Sequence, residues 1–240
     1  VATVEIDRPP YNFFSLQLIQ SLAETFRTID EDENIRSSVL CAHGKPFCAG
    51  ADLPSSDEAD EDPGALYREA VKLFSNRKPV VGAIQGAAIG GGLGLALFPD
   101  FRVAAPEARF SANFSRLGFH HGFGLTASLP PVVGQQAALD MLYTGRRIHG
   151  EEALALGLCD RLVPLERLRD EARALALEIA HSAPLAVLAI RATMRGDLAQ
   201  RVEAATEHEL VEQTRLRKTD DFSEGVRAMS TRRLPDFVGR

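Results

Sequence analysis

Residues 80–98 read VVGAIQGAAIGGGLGLALF, a run with no charged side chain and six glycines, and this run constrains the fold most. An apolar stretch of that length approaches the minimum for a membrane-spanning helix. Glycine is a poor helix former, Gln85 interrupts the run, and no aromatic belt flanks it. The run is therefore expected to break into a buried strand, a glycine turn and a buried helix. Glycines at a helix start let another backbone or a ligand come close. The first helical N–H groups have no intrahelical partner, and the helix dipole makes that end positive. Such an end binds an anionic oxygen, or stabilises negative charge that develops during a reaction.

The spacing of the glycines narrows the chemistry. GxGxxG fails because Leu97 stands where the last glycine would be. The patterns GxxxxGK[ST] and GxSxG are absent, so neither a P-loop nor a serine-hydrolase elbow is indicated. A second glycine turn, KPFCAGADL, covers residues 45–53 and follows a strand expected over SSVLCA, 37–42. Two turns of this kind, each after a parallel strand, can place one N–H apiece on a single carbonyl oxygen. Packing turns with no ligand are the alternative.

The rest of the chain alternates between strand and helix signals. Strands are expected at 2–6, 37–42, 79–85 and 101–105, and helices at 15–30 and 66–77, a pattern of parallel pairing with crossover helices. Residues 54–64 are acidic and read as a loop, and 106–134 as irregular. Helices are expected at 135–143, 150–156, 165–181, 184–195 and 202–217. The net charge of −6 argues against non-specific nucleic-acid binding. The three cysteines, Cys41, Cys48 and Cys159, have no metal-ligand or CxxC spacing and fit a reducing cytoplasm. No HExxH or other metal motif is present.

FCAGADL, KPVVGAIQGAAIGGGLGLAL, DFRVAAPEARF, TGRRIHGEEALALGLCDRLVP and the terminal DFSEGVRAM and RRLPDF occur in that order. Together they resemble the crotonase (enoyl-CoA hydratase/isomerase) superfamily over nearly the whole chain. The resemblance implies an α/β fold, a spiral of repeated strand-strand-helix turns. It implies a core over 1–190 and a C-terminal helical region over 191–240 that supports a homotrimer or a dimer of trimers. It implies an acyl-CoA thioester as ligand, with no cofactor beyond its CoA moiety and no nucleic-acid or membrane partner. The backbone N–H groups of Ala51 and Gly91 would hold the thioester oxygen. Ala49, Asp52 and Leu53 would contact CoA, and Arg233 would take its 3′-phosphate.

The same resemblance exposes what is missing. Family hydratases carry two glutamates, and the matching positions here are Gly94 and Phe114. Neither can act as acid or base. The position of a family dehalogenase aspartate is Gly122. His120 and His121, in LGFHHGFG, are the titratable candidates, since imidazole moves protons near neutral pH. Isomerisation, decarboxylation, hydrolysis and nonstandard hydration stay open. So do a non-catalytic acyl-CoA binder and a structural oligomer subunit.

Overall fold

The computed structural model describes residues 1–51 and 63–240. Asp52, Leu53 and residues 54–62 of the acidic loop lie outside the described residues. The chain opens with β1 (Ala2–Ile6), α1 (Leu16–Glu31) and β2 (Ser38–Ala42), then α2 (Pro63–Phe74). The uncharged run divides into β3 (Val80–Ile84), β4 (Ala87–Ile89) and α3 (Gly91–Leu97). Next come β5 (Phe101–Ala104), β6 (Arg109–Ser111), a 3₁₀ turn at Ser115–Leu117, α4 (Leu125–Ser128), α5 (Pro130–Val133) and α6 (Gln135–Thr144). β7 (Ile148–His149), α7 (Gly150–Ala155) and β8 (Arg161–Leu162) follow. A second 3₁₀ turn at Leu165–Arg167 leads into α8 (Leu168–His181), α9 (Pro184–Arg195), α10 (Leu198–Leu216) and α11 (Asp220–Ser230).

A five-stranded sheet, β1-β2-β3-β5-β8, is parallel throughout. A smaller sheet, β4-β6-β7, has one parallel and one antiparallel pair. Every residue of β2 and β3 is buried, as expected of strands covered on both faces. α8 covers one face: Leu168, Ala172, Leu175 and Ala176 pack on Val39, Cys41, Val81, Ala83 and Val103. The other face belongs to a larger core that includes Ile19, Phe26, Leu73, Leu93 and Phe98. The β3 and β5 turns of the spiral run from a strand of the large sheet to a short strand of the small one, β4 or β6, and then to a helical segment. The first two turns have only isolated bridges in place of the short strand, Phe14 with Ala51 after β1 and Cys48 with Ala88 after β2.

Local chemistry explains the helix limits. Ser15 accepts the Leu18 N–H at 3.3 Å and caps α1. α2 begins at Pro63, earlier than the expected Leu66, because proline suits the first helical turn. Residues 106–134 are more ordered than expected, containing β6, a 3₁₀ turn, α4 and α5. Elements of three or four residues are too short to leave a periodic trace. α11 lies inside the C-terminal region expected to be helical, 191–240, beyond the last bounded helix at 202–217. It closes on the first 3₁₀ turn so tightly that a β-carbon on Gly225 would lie 2.5 Å from the Leu117 carbonyl carbon.

The C-terminal helices fold onto their own chain. α10 packs against α2 and α4, and α11 against the first 3₁₀ turn. Val202 of α10 is part of the main core, with Leu210, Leu216, Phe222 and Val226 packed against it. α9 is anchored at one end by charge. Arg191 and Arg195 both reach Asp100, whose carboxylate also accepts the Val80 N–H. Among the described residues, no single helix is long and apolar enough to cross a membrane.

Candidate active site

The two glycine turns pack backbone against backbone. A β-carbon on Gly86 would lie 2.1 Å from the Lys45 carbonyl oxygen, and one on Gly92 2.2 Å from that of Cys48. One on Gly50 would lie 2.9 Å from the Ile89 carbonyl oxygen. Only glycine permits these approaches. Cys48 N–H donates to Ala87 O, and Ile89 N–H donates to Cys48 O, which stitches the turns into register. Asn12, buried and at φ 50°, donates from its side chain to the carbonyls of His43 and Pro46. It thereby holds the segment bearing Phe14 against the first turn.

Phe14 touches both amide positions. Its N–H donates to Gly50 O at 3.0 Å within a parallel bridge to Ala51, and its ring lies against Gly91. Ala51 is exposed and Gly91 is buried at the first position of α3. Neither residue's N–H has an acceptor among the described residues. Ala49 N–H donates to Tyr11 O. Burial pushes the nearby Cys48 thiol up to about 11, which leaves it protonated and unsuited to nucleophilic attack.

Aromatic rings fill both positions where the resemblance leads one to expect carboxylates. A β-carbon on Gly94 would lie 2.5 Å from Phe123 Cδ1. Phe123 packs edge-on to Phe14 with centroids 6.0 Å apart. Phe114 is buried and packs edge-on to Phe119, which packs in turn on Phe222 of α11. A β-carbon on Gly122 would meet the Tyr67 hydroxyl at 2.2 Å and Gln213 Nε2 at 2.5 Å. Tyr67 donates to Gln213 Oε1, and Gln213 Nε2 donates to His120 O.

His120 and His121 stack with centroids 4.1 Å apart, and His208 of α10 meets the His120 ring edge-on. His120 Nδ1 lies 2.8 Å from His121 O, and His121 Nε2 lies 2.7 Å from Thr126 Oγ1. Behind Thr126 stands Glu209, with no exposed side-chain surface. Its carboxylate accepts the N–H of Gly124, the N–H of Thr126 and the Thr126 hydroxyl, at 2.7–2.9 Å. Burial drives His121 down to about 3, and its two neighbouring imidazoles add to this. Glu209, 3.6 Å away, pulls the other way. Its charge is already shared among three donors, so the neutral ring prevails. Burial raises the Glu209 carboxyl, and its donors oppose the rise.

The two histidines line a groove of about 370 Å³ with Phe114, Ser115, Phe119, Leu142, Tyr143 and Leu216. Another hollow, of about 340 Å³, lies beside Lys45, Gln85, Glu107, Arg109 and His149. Neither is lined by Ala51 or Gly91. Arg233 is held by Glu224, donating through Nη1 to Oε1 and through Nη2 to Oε2 at 2.8 Å. Among the described residues, no group of His, Cys, Asp or Glu is placed to hold a metal ion.

The sequence profile of the Enoyl-CoA hydratase/isomerase family matches residues 1–240. The chain belongs to that family. Among curated relatives of this enoyl-CoA hydratase/isomerase family member, the carnitinyl-CoA dehydratase of Proteus mirabilis is 34% identical over 249 residues, covering all of this chain and 95% of the relative. That of Citrobacter koseri is 32% identical over 250 residues, with the same coverage. Among solved structures, an enoyl-CoA hydratase/isomerase from Pseudoalteromonas atlantica superimposes with a TM-score of 0.89 at 31% identity, over 98% of this chain and 95% of that one. An enoyl-CoA hydratase from Bacillus halodurans gives a TM-score of 0.86 at 25% identity, over 95% and 96%. These matches establish the crotonase fold and an enzyme family that processes acyl-CoA.

Sequence reasoning missed Phe14, Thr126, Glu209 and Gln213, and it reads Phe123 only as part of an apolar pocket wall with Phe119. One signal for Glu209 and Gln213 was present. The buried face of α10 carries Val202, Thr206, Glu209 and Gln213, so three of its four inward positions are polar. Buried polar side chains need partners, and an inward carboxylate four residues from an amide points to a loop that needs hydrogen bonds. The packing of Phe14 on Gly91 and of Phe123 on Gly94 left no such trace, because the partners are glycines distant in sequence.

Proposed function

We propose that this family member polarises an acyl-CoA thioester at the N–H groups of Ala51 and Gly91, and that its chemistry proceeds through the thioester enolate without the two-glutamate hydration step. The observation carrying this reading is the backbone-to-backbone packing of the two turns, with both N–H groups lacking an acceptor among the described residues. Fixed donors aimed at a developing oxyanion are worth roughly 3 kcal/mol each in the transition state. Gly91 adds the positive end of a buried helix. The ligand's open approach is over exposed Ala51, with Phe14 as the inner wall.

The aromatic filling at Gly94 and Phe114 disfavours water addition by paired carboxylates. The Proteus mirabilis relative is named a carnitinyl-CoA dehydratase, and removal of a β-hydroxyl also passes through an enolate. A dehydration using a different acid and base is therefore the nearest reaction class. A homotrimer is proposed as the assembly. Its support is the exposed apolar side of α9, where Leu185, Ile190 and Met194 are 62–80% exposed.

The deciding experiment is deuterium incorporation at the α-carbon of butyryl-CoA and 3-hydroxybutyryl-CoA in D₂O, read by mass spectrometry, alongside calorimetry for binding. Exchange well above the buffer rate is expected. The glutamate-free site favours a second reading, a non-catalytic acyl-CoA binder. Tight binding without exchange would establish that one. No binding of any acyl-CoA would remove both.

A further inference from the structure

The histidine loop is held by a helix more than eighty residues downstream, and the hydrogen bonds between them have a definite direction. Both oxygens of Glu209 accept from backbone N–H groups, Oε2 from Gly124 and Oε1 from Thr126. Backbone N–H donors on both oxygens, joined by the Thr126 hydroxyl on Oε1, stabilise the ionised form of the group. The Thr126 hydroxyl, 2.7 Å from Oε1, must then donate to it. With its hydrogen used, Thr126 Oγ1 can only accept from His121 Nε2, 2.7 Å away.

From this chain of donors we infer that Glu209 and Thr126 are positioning residues. They hold His121 as its Nε2–H tautomer and leave Nδ1 as the proton-accepting atom of the groove. His121 Nδ1 has no partner among the described residues, whereas His120 Nδ1 is occupied by a carbonyl and must carry its hydrogen. Glu209 faces the ring from behind at 3.6 Å, where it stabilises the imidazolium once a proton arrives. The groups facing His121 are the His120 ring, Thr126 and Glu209, with His208 beyond His120.

In the reaction class proposed above, on which this step rests, the α-carbon C–H bond of the thioester breaks. Its electron pair enters the enolate, and the proton forms the second N–H of His121 at Nδ1, in the groove whose Phe114 wall lies against Gly90, one residue before Gly91. The proton returns to carbon or to a leaving hydroxyl, so the ring ends neutral. The tautomer itself is independent of that reading, because it is set in the free protein.

The test is long-range ¹H–¹⁵N correlation spectroscopy of the ¹⁵N-histidine-labelled full chain at neutral pH, with His121 assigned by its absence in His121→Gln. The Nε2–H tautomer is expected in the unaltered protein and in Thr126→Ser. Thr126→Val should release it to a mixture and lower α-carbon exchange at least tenfold, with KM little changed. An Nδ1–H tautomer in the unaltered protein overturns the inference even if Thr126→Val fails to fold. So does a folded Thr126→Val whose tautomer is unmoved. The expected tautomers with no exchange on any acyl-CoA would overturn the proposed enolate chemistry and leave the relay supported.

Discussion

The ring of Phe123 fills the space above the α-carbon of Gly94, so a β-carbon there would lie 2.5 Å from Cδ1. Phe123 reaches that place from a left-handed backbone, φ 62°, rare for a bulky side chain. Such conformations cost on the order of 1–3 kcal/mol and persist where their surroundings dictate them. Here the surroundings are Gly124, whose N–H is tied to Glu209, and Phe14, which packs against the ring.

Gly94→Glu, which puts a carboxylate where the sequence resemblance leads one to expect it, is expected to destabilise the protein by at least about 3 kcal/mol, through overpacking and an unpaired buried acid. It should confer no hydration of crotonyl-CoA. Adding Phe123→Gly opens the space and suits the left-handed backbone, and should recover at least about 1 kcal/mol in urea unfolding. A double variant no more stable than the single one would show that Phe123 is not the obstacle.

Gly91→Ala places a β-carbon 2.1 Å from Phe14 Cε1. A loss of about 2 kcal/mol is expected, as for other overpacked sites. Combined with Phe14→Ala, the loss should be less than additive by about 1 kcal/mol or more. Strict additivity in the mutant cycle would mean that the two residues do not share this contact.

His121 sets a pH dependence of stability. Its folded value, about 3, lies below the ordinary 6.5. The unfolded chain therefore binds the extra proton as pH falls, and stability present above pH 6.5 is lost below it. One such group costs about 2 kcal/mol between pH 6.5 and pH 5. Glu209, displaced upward by burial, works in the opposite sense at lower pH. His121→Gln should flatten the stability curve over pH 6.5–5. An unchanged slope would assign the acid sensitivity elsewhere.

Arg233 holds the Glu224 carboxyl well below the usual carboxylate range, helped by the Asp236 N–H and Arg227. An arginine so engaged is restrained in reaching a phosphate. Glu224→Gln should free it and raise the preference for CoA over 3′-dephospho-CoA several-fold in calorimetry. An unchanged ratio removes Arg233 from the phosphate contact.

Much of this fold is legible because it depends on local pattern. The parallel strands, the Ser15 cap, the stripe of α8 and the break-up of the uncharged run all follow from neighbouring residues. The glycine turns are legible as turns, and the missing carboxylates at Gly94 and Phe114 as absences. What takes their place is not legible. Phe14 and Phe123 fill space that exists only after distant segments meet, and glycine, having no side chain, does not specify its neighbour. Glu209 is an intermediate case: its inward position can be read from helical spacing, but the loop it serves cannot.

Glu209 also orders events during synthesis. Thr126 precedes it by 83 residues, so the loop bearing His120 and His121 leaves the ribosome long before its anchoring carboxylate exists. A nascent chain arrested within α9 would have the glycine turns and the parallel strands but no means of fixing those imidazoles. The fixed orientation of the His121 loop therefore arrives late in translation, when α10 docks.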